Sequence, residues 1–133
     1  MAWVELHEDA KNDIRELIRT QPELAKKLVA LIQQLNLDPA LRARLLEHNY
    51  GDDAVDVINV KKWLRLFKAR KDLWRLKPLN LGPVGLGYRV FYAYQYKERC
   101  FHVLAIVQRS SIDYDLPTHP LAVRIQRAYS SLG

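Results

Sequence analysis

Cysteine is nearly absent from this 133-residue chain: Cys100 stands alone. A single thiol excludes an internal disulfide framework and a cysteine-based zinc cluster. No apolar run approaches the roughly 20 residues that a membrane helix needs, so no membrane partner is expected. The stretch from Met1 to Glu8 lacks the basic start and apolar middle of a secretory signal, and a cytoplasmic location is the expectation. A phosphate-binding loop ending in Gly-Lys-Ser/Thr is missing too. Gly82, Gly85 and Gly87 approach a glycine-rich spacing, but between two expected strands rather than between a strand and a helix, which argues against dinucleotide binding. His7, His48, His102 and His119 are scattered without ligand spacing, so no metal and no cofactor are expected. There is no internal repeat, no low-complexity tract and no linker rich in Gly, Ser or Pro. The chain therefore reads as one domain over residues 1–133 with a modest core.

Acid is what the second half lacks. Residues 1–60 hold 7 Lys+Arg against 11 Asp+Glu, whereas residues 61–133 hold 14 against 4. Clustered cations favour a polyanionic partner. Charge alone fits nucleic acid and an acidic protein equally well.

The apolar pattern gives an order of elements. Trp3 to His7 alternates as a half-buried strand does. Ala10, Ile14, Leu17 and Ile18 follow helical spacing. Thr20 and Glu23 have capping-box spacing around Pro22, and Leu24, Leu28, Leu31, Ile32 and Leu35 mark a second helix. Asp38-Pro39 signals a short third helix through Leu41, Leu45 and Leu46, broken over Asn49 to Asp53. Val60, Trp63, Leu64 and Phe67 predict an amphipathic helix whose other face carries Lys61, Lys62, Arg65 and Lys68, a candidate RNA-binding surface. Leu73–Lys77, Tyr88–Tyr94 and Phe101–Gln108 are aromatic and β-branched runs of strand length. Leu79–Gly87 reads as a loop and Tyr96–Arg99 as a hairpin turn. Thr118-His119-Pro120 opens a last helix lined by Leu121, Ile125, Ala128 and Leu132. The expected fold class is α+β: an N-terminal strand and helical hairpin with extra helices, packed on a small antiparallel sheet, with a C-terminal helix.

The chemistry lies in the strands. Arg75 and Lys77 are two apart and share a sheet face, while Trp74 and Leu76 point to the core. Arg89 interrupts an apolar strand, and Arg109 ends the next. In a meander these cations converge on one face. Arg grips phosphate in bidentate fashion and Tyr stacks on unpaired bases, so Arg75 and a partly reachable Tyr88 are read as RNA-binding.

Leu73-Trp74-Arg75-Leu76-Lys77, Gly87-Tyr88-Arg89-Val90-Phe91-Tyr92 and Leu104-Ala105-Ile106-Val107-Gln108-Arg109 leading to Asp113-Tyr114 resemble the motifs of the RelE/ParE superfamily of type II toxin–antitoxin toxins. The resemblance covers about Asp72 to Asp115. It implies a ribosome-dependent mRNA endonuclease held in check by a cognate acidic antitoxin, with ribosome and mRNA as partners. On this resemblance Lys77 matches a family lysine, Arg89 the grip on the scissile phosphate, Arg109 the strand-end arginine, and Tyr114 the C-terminal tyrosine. These four are the candidate catalytic residues of a metal-independent cleavage by 2′-OH attack. Arg75 stands where the nuclease branch often carries a second lysine, and an arginine cannot act as a base. Two alternatives stay open: a ParE-like gyrase poison, and a non-catalytic RNA- or protein-binding member.

Overall fold

The computed structural model describes residues 3–132; Met1, Ala2 and Gly133 lie outside it. The order is β1 (Trp3–Leu6), α1 (Glu8–Thr20), α2 (Pro22–Leu37), α3 (Pro39–Ala43), a 3-10 turn (Arg44–Leu46), β2 (Ile58–Lys62) and α4 (Leu64–Lys68). Then come β3 (Trp74–Pro78), α5 (Gly82–Leu86), β4 (Tyr88–Gln95), β5 (Cys100–Gln108), a 3-10 turn (Arg109–Ser111) and α6 (Pro120–Ser130). The α+β class expected from the sequence is the one observed, and none of the described helices is long and apolar enough to cross a membrane.

The sheet holds five strands in the order β1-β5-β4-β3-β2. β2 through β5 pair antiparallel, and β1 adds to the free side of β5 in parallel. The sheet is thus mixed rather than purely antiparallel. A parallel neighbour needs a long crossover, and the helical hairpin lies within it. The outer edge of β1 is blunted by Asn36, whose Oδ1 accepts from the Val4 N–H at 2.8 Å and whose Nδ2 donates to the Val4 carbonyl at 3.1 Å. The side chain thereby imitates a neighbouring strand and closes an edge open to mispairing.

Helix ends follow local chemistry. His7 caps α1 by accepting from the Asp9 N–H, and Asp38 caps α3 by accepting from the Leu41 N–H. The capping box expected at Thr20 does not form. Its hydroxyl instead donates back to the Glu16 carbonyl, and Gln21 precedes α2 without a side-chain cap. The last carbonyls of α2 are satisfied by Arg42, which is 5% exposed and donates to Leu35 and Asn36.

Two expectations need correction. The amphipathic helix over Val60–Lys68 is instead the edge strand β2 followed by the five-residue helix α4. β-Branched Ile58 and Val60 alternate inward, and Val60 pairs back to Asn49 and Tyr50. That pairing needs Gly51, whose φ is +108° and whose added Cβ would meet the Ile58 carbonyl oxygen at 2.1 Å. The Leu79–Gly87 loop contains the short helix α5, started by Pro83 in its first turn.

Each sheet face has its own core. Val4, Val60, Trp74, Leu76, Tyr88, Val90, Tyr92, Phe101 and Val103 pack beneath α1 and α2. Phe91, Ala93, Leu104 and Ala105 pack beneath α6, joined by Trp63 and Leu66. A register shift between Phe91 and Tyr92 turns both Leu104 and Ala105 to the α6 side. Asp13 of α1 ties the layers together: its carboxylate accepts from Arg124 Nη1 and Nη2 at 2.9 and 2.8 Å and from the Ile106 N–H at 2.9 Å.

Candidate functional site

The α6 face of the sheet carries the cations. In the antiparallel register Lys61 sits opposite Arg75, Arg75 opposite Phe91, and Asn59 opposite Lys77. Side chains two apart share a face, so Lys61, Arg75, Lys77, Arg89 and Phe91 lie together. Arg109 begins the turn after β5, its N–H bonded to the Gly87 carbonyl at 2.8 Å. Buried Ile112 anchors the turn and swings Tyr114 back over the sheet.

Tyr114 is the centre of the group. The Arg109 guanidinium lies 4.5 Å from its ring centroid. Trp63 meets the ring edge-on at 5.1 Å and Phe91 tilts against it at 5.8 Å. The Trp63 indole N–H donates to the Tyr114 carbonyl at 3.3 Å. The Tyr114 hydroxyl is buried without a hydrogen-bond partner among the described residues. Burial raises its pKa above the ordinary phenol value, and Arg75, Arg89 and Arg109 each pull it back down. Arg75 of β3, Arg89 of β4 and Arg109 of the turn after β5 thus all bear on one enclosed oxygen.

The guanidiniums are held from behind. Arg75 Nη1 donates to Asn59 Oδ1 at 2.9 Å, and Asn59 Nδ2 donates on to the Tyr50 and Gly51 carbonyls. Arg89 Nη1 donates to the Leu86 and Tyr88 carbonyls, both at 2.7 Å. Arg109 Nη1 donates to the Ile112 carbonyl at 3.3 Å. Burial lowers the pKa of Arg75 and of Arg89, and the neighbouring arginines push the same way. Guanidiniums stay charged regardless. The Lys77 ammonium stands 3.8 Å from the exposed carboxylate of Asp53.

The sequence-predicted residues therefore divide. Arg75, Arg89, Arg109 and Tyr114 come together, with Lys77 and Lys61 beside them on the same face. Tyr88 does not join them. It is 6% exposed in the core under α1 and α2, and its hydroxyl accepts from Gln21 and Gln108 at 3.2 and 3.4 Å. Strand alternation puts it opposite Arg89, so it offers no stacking surface. Lys62 also leaves the group: it pairs with Trp74 on the other face, and its ammonium lies 3.9 Å from the Phe67 ring centroid. Arg65 and Lys68 are exposed on α4. Asn59, Asp53 and the wall formed by Trp63 carry no signal in the sequence, since each depends on β2 being a strand.

Chemically, the group suits a phosphodiester. Fixed guanidiniums bind phosphate oxygens and offset charge that builds in a transition state. None can remove a proton at neutral pH. The protonated Tyr114 hydroxyl can donate to an oxygen.

Cys100 is fully buried, and burial together with Glu5 pushes its thiol up to about 12. Such a thiol is no nucleophile.

Comparison of the chain with family models, with curated proteins and with solved structures gives no match.

Proposed function

We propose that this chain is a RelE-like toxin that cleaves ribosome-bound mRNA by attack of a ribose 2′-OH on its neighbouring phosphate. One observation carries the reading: Arg75 and Arg89 share a sheet face with Arg109 packed on the Tyr114 ring beside them, and the Tyr114 hydroxyl is buried with no partner among the described residues. The resemblance of the three strand motifs supports it. Arg89 and Arg109 hold the scissile phosphate and offset its developing charge. Tyr114, uncovered as the substrate docks, donates to the departing 5′-oxygen while solvent water takes the proton that the 2′-OH loses, and solvent then reprotonates Tyr114. Lys77 contacts the backbone phosphate next to the cleaved bond after displacing Asp53. An acidic antitoxin covers the same face, since 14 of the chain's 21 Lys+Arg follow Val60. The protein works in the cytoplasm, where translating ribosomes are.

A second reading is a non-catalytic RNA-binding member of the superfamily. It draws support from the Lys77–Asp53 pair and from Arg89 Nη1 being engaged by two backbone carbonyls, since both divert cations from chemistry. Expression in growing cells separates the readings. The nuclease reading expects growth arrest with new mRNA 5′ ends, and neither with Arg89→Ala. RNA retention without new ends would support the binding reading, and arrest without cleavage would point to gyrase poisoning.

A further inference from the structure

At the opposite end of β5 from Arg109, the parallel ladder sets Trp3 beside Cys100 and Glu5 beside His102. Ligand atoms of Glu5, Cys100 and His102 all lie within 4.8 Å of one another. Tetrahedral zinc holds N, O and S donors at about 2.0–2.3 Å, which spaces them about 3.3–3.8 Å apart. The donors must therefore draw together by up to about 1 Å on loading.

The surroundings prepare the donors. Gln95 Nε2 donates to the Leu132 carbonyl at 2.6 Å, which fixes the amide with Oε1 as an acceptor. His102 Nε2, 3.0 Å from that oxygen, must then carry the proton. In that tautomer of the neutral imidazole the Nδ1 lone pair is the one left for a metal. Metal-ligating histidines donate their other N–H to an oxygen acceptor, and the Gln95 amide oxygen stands in that position here. The Trp3 indole N–H donates to Glu5 Oε1 at 2.8 Å and steadies the carboxylate. Cys100 is buried, His102 half-buried and Glu5 exposed, so the group opens to water on one side.

We propose that Glu5, Cys100 and His102 form a mixed-ligand Zn²⁺ site, with its fourth position open to water, that clamps the short edge strand β1 to β5. Loading forms a Zn–S bond at Cys100 and releases the thiol proton to solvent. The site shares no residue with the arginine group and stands independently of the proposed nuclease activity.

The test uses the full chain, stripped with chelator and titrated with Zn²⁺, and separately with Co²⁺. One equivalent binds, the melting temperature rises, and Co²⁺ gives a thiolate-to-metal charge-transfer band. Glu5→Gln, at an exposed position, weakens binding about tenfold or more and leaves the metal-free melting temperature unchanged. Gln95→Leu weakens it about 10–100-fold, while Gln95→Glu, which keeps an acceptor, retains it. Cys100→Ser abolishes the charge-transfer band; if that variant fails to fold, Glu5→Gln and the wild-type Co²⁺ spectrum decide. No rise in melting temperature at saturating Zn²⁺, binding without a thiolate band, or unchanged affinity in Glu5→Gln would each overturn the proposal.

Discussion

Tyr114→Phe separates stability from function in a way that few substitutions can. The Tyr114 hydroxyl is buried with no partner among the described residues, and an unsatisfied buried hydroxyl costs about 1–3 kcal/mol. Phenylalanine keeps the ring contacts with Trp63, Phe91 and the Arg109 guanidinium. Only the oxygen is lost, and the small void it leaves returns part of the gain. The variant should therefore be more stable by about 1 kcal/mol, a rise of roughly 3–6 °C in melting temperature for a chain of this size. The same change removes the proton donor from among the arginines, and RNA cleavage should fall about 10²-fold. Urea denaturation and a cleavage assay on the same preparation read both effects. A variant less stable by 1 kcal/mol or more would show that the hydroxyl has a partner in the folded protein. Undiminished cleavage would show that it takes no part in the chemistry.

Other outcomes follow from the packing. Trp74 is 3% exposed and stacked on Tyr92, so Trp74→Ala should cost about 3–5 kcal/mol in urea denaturation; an unchanged midpoint would contradict the core assignment. Asp13→Ala removes the acceptor shared by Arg124 and the Ile106 N–H and should cost about 1.5–3 kcal/mol, read in the same way. Alkali should unfold the protein early. Burial holds the Tyr92 hydroxyl well above its usual value while it donates to the Leu45 carbonyl. Its contribution is full below the unfolded-state value near 10 and is lost as pH rises towards the folded one. Tyr92→Phe should flatten the fall in melting temperature above pH 10, and an equally steep fall would assign that loss to other groups.

The sequence announced the elements whose apolar period is clean. Ala10, Ile14 and Leu17 fall under α1, Leu24, Leu28, Leu31 and Leu35 under α2, and the aromatic runs became β3, β4 and β5. It misled over Val60–Lys68, where period-2 and helical spacing overlap over a few residues and only the pairing with Tyr50 and β3 decides. Tyr88 was misplaced for a related reason. Its neighbour Arg89 faces the site, and strand alternation sends Tyr88 the other way. The arginine cluster was legible because strand spacing alone puts Arg75, Lys77 and Arg89 on one face. The pairing of β1 with β5, which joins Glu5 to Cys100 and His102, was not legible, because nothing local in Trp3–Leu6 names its partner strand.

In the proposed reaction Arg89 and its neighbours act on a phosphodiester of mRNA. End-group analysis of mRNA from a reconstituted translation reaction tests it most directly, with wild-type protein and Arg89→Ala compared at equal concentration. Losing one fixed cation at the reacting phosphate typically costs about 10²–10³ in rate. Arg89 is half-buried and its guanidinium donates to the Leu86 and Tyr88 carbonyls, so the variant should lose about 1–2 kcal/mol of stability and stay folded. Ribosome-dependent fragments ending in a 2′,3′-cyclic phosphate are expected with the wild type, and a loss of that size with Arg89→Ala. Intact mRNA with the wild type, or equal cleavage by both proteins, would contradict it.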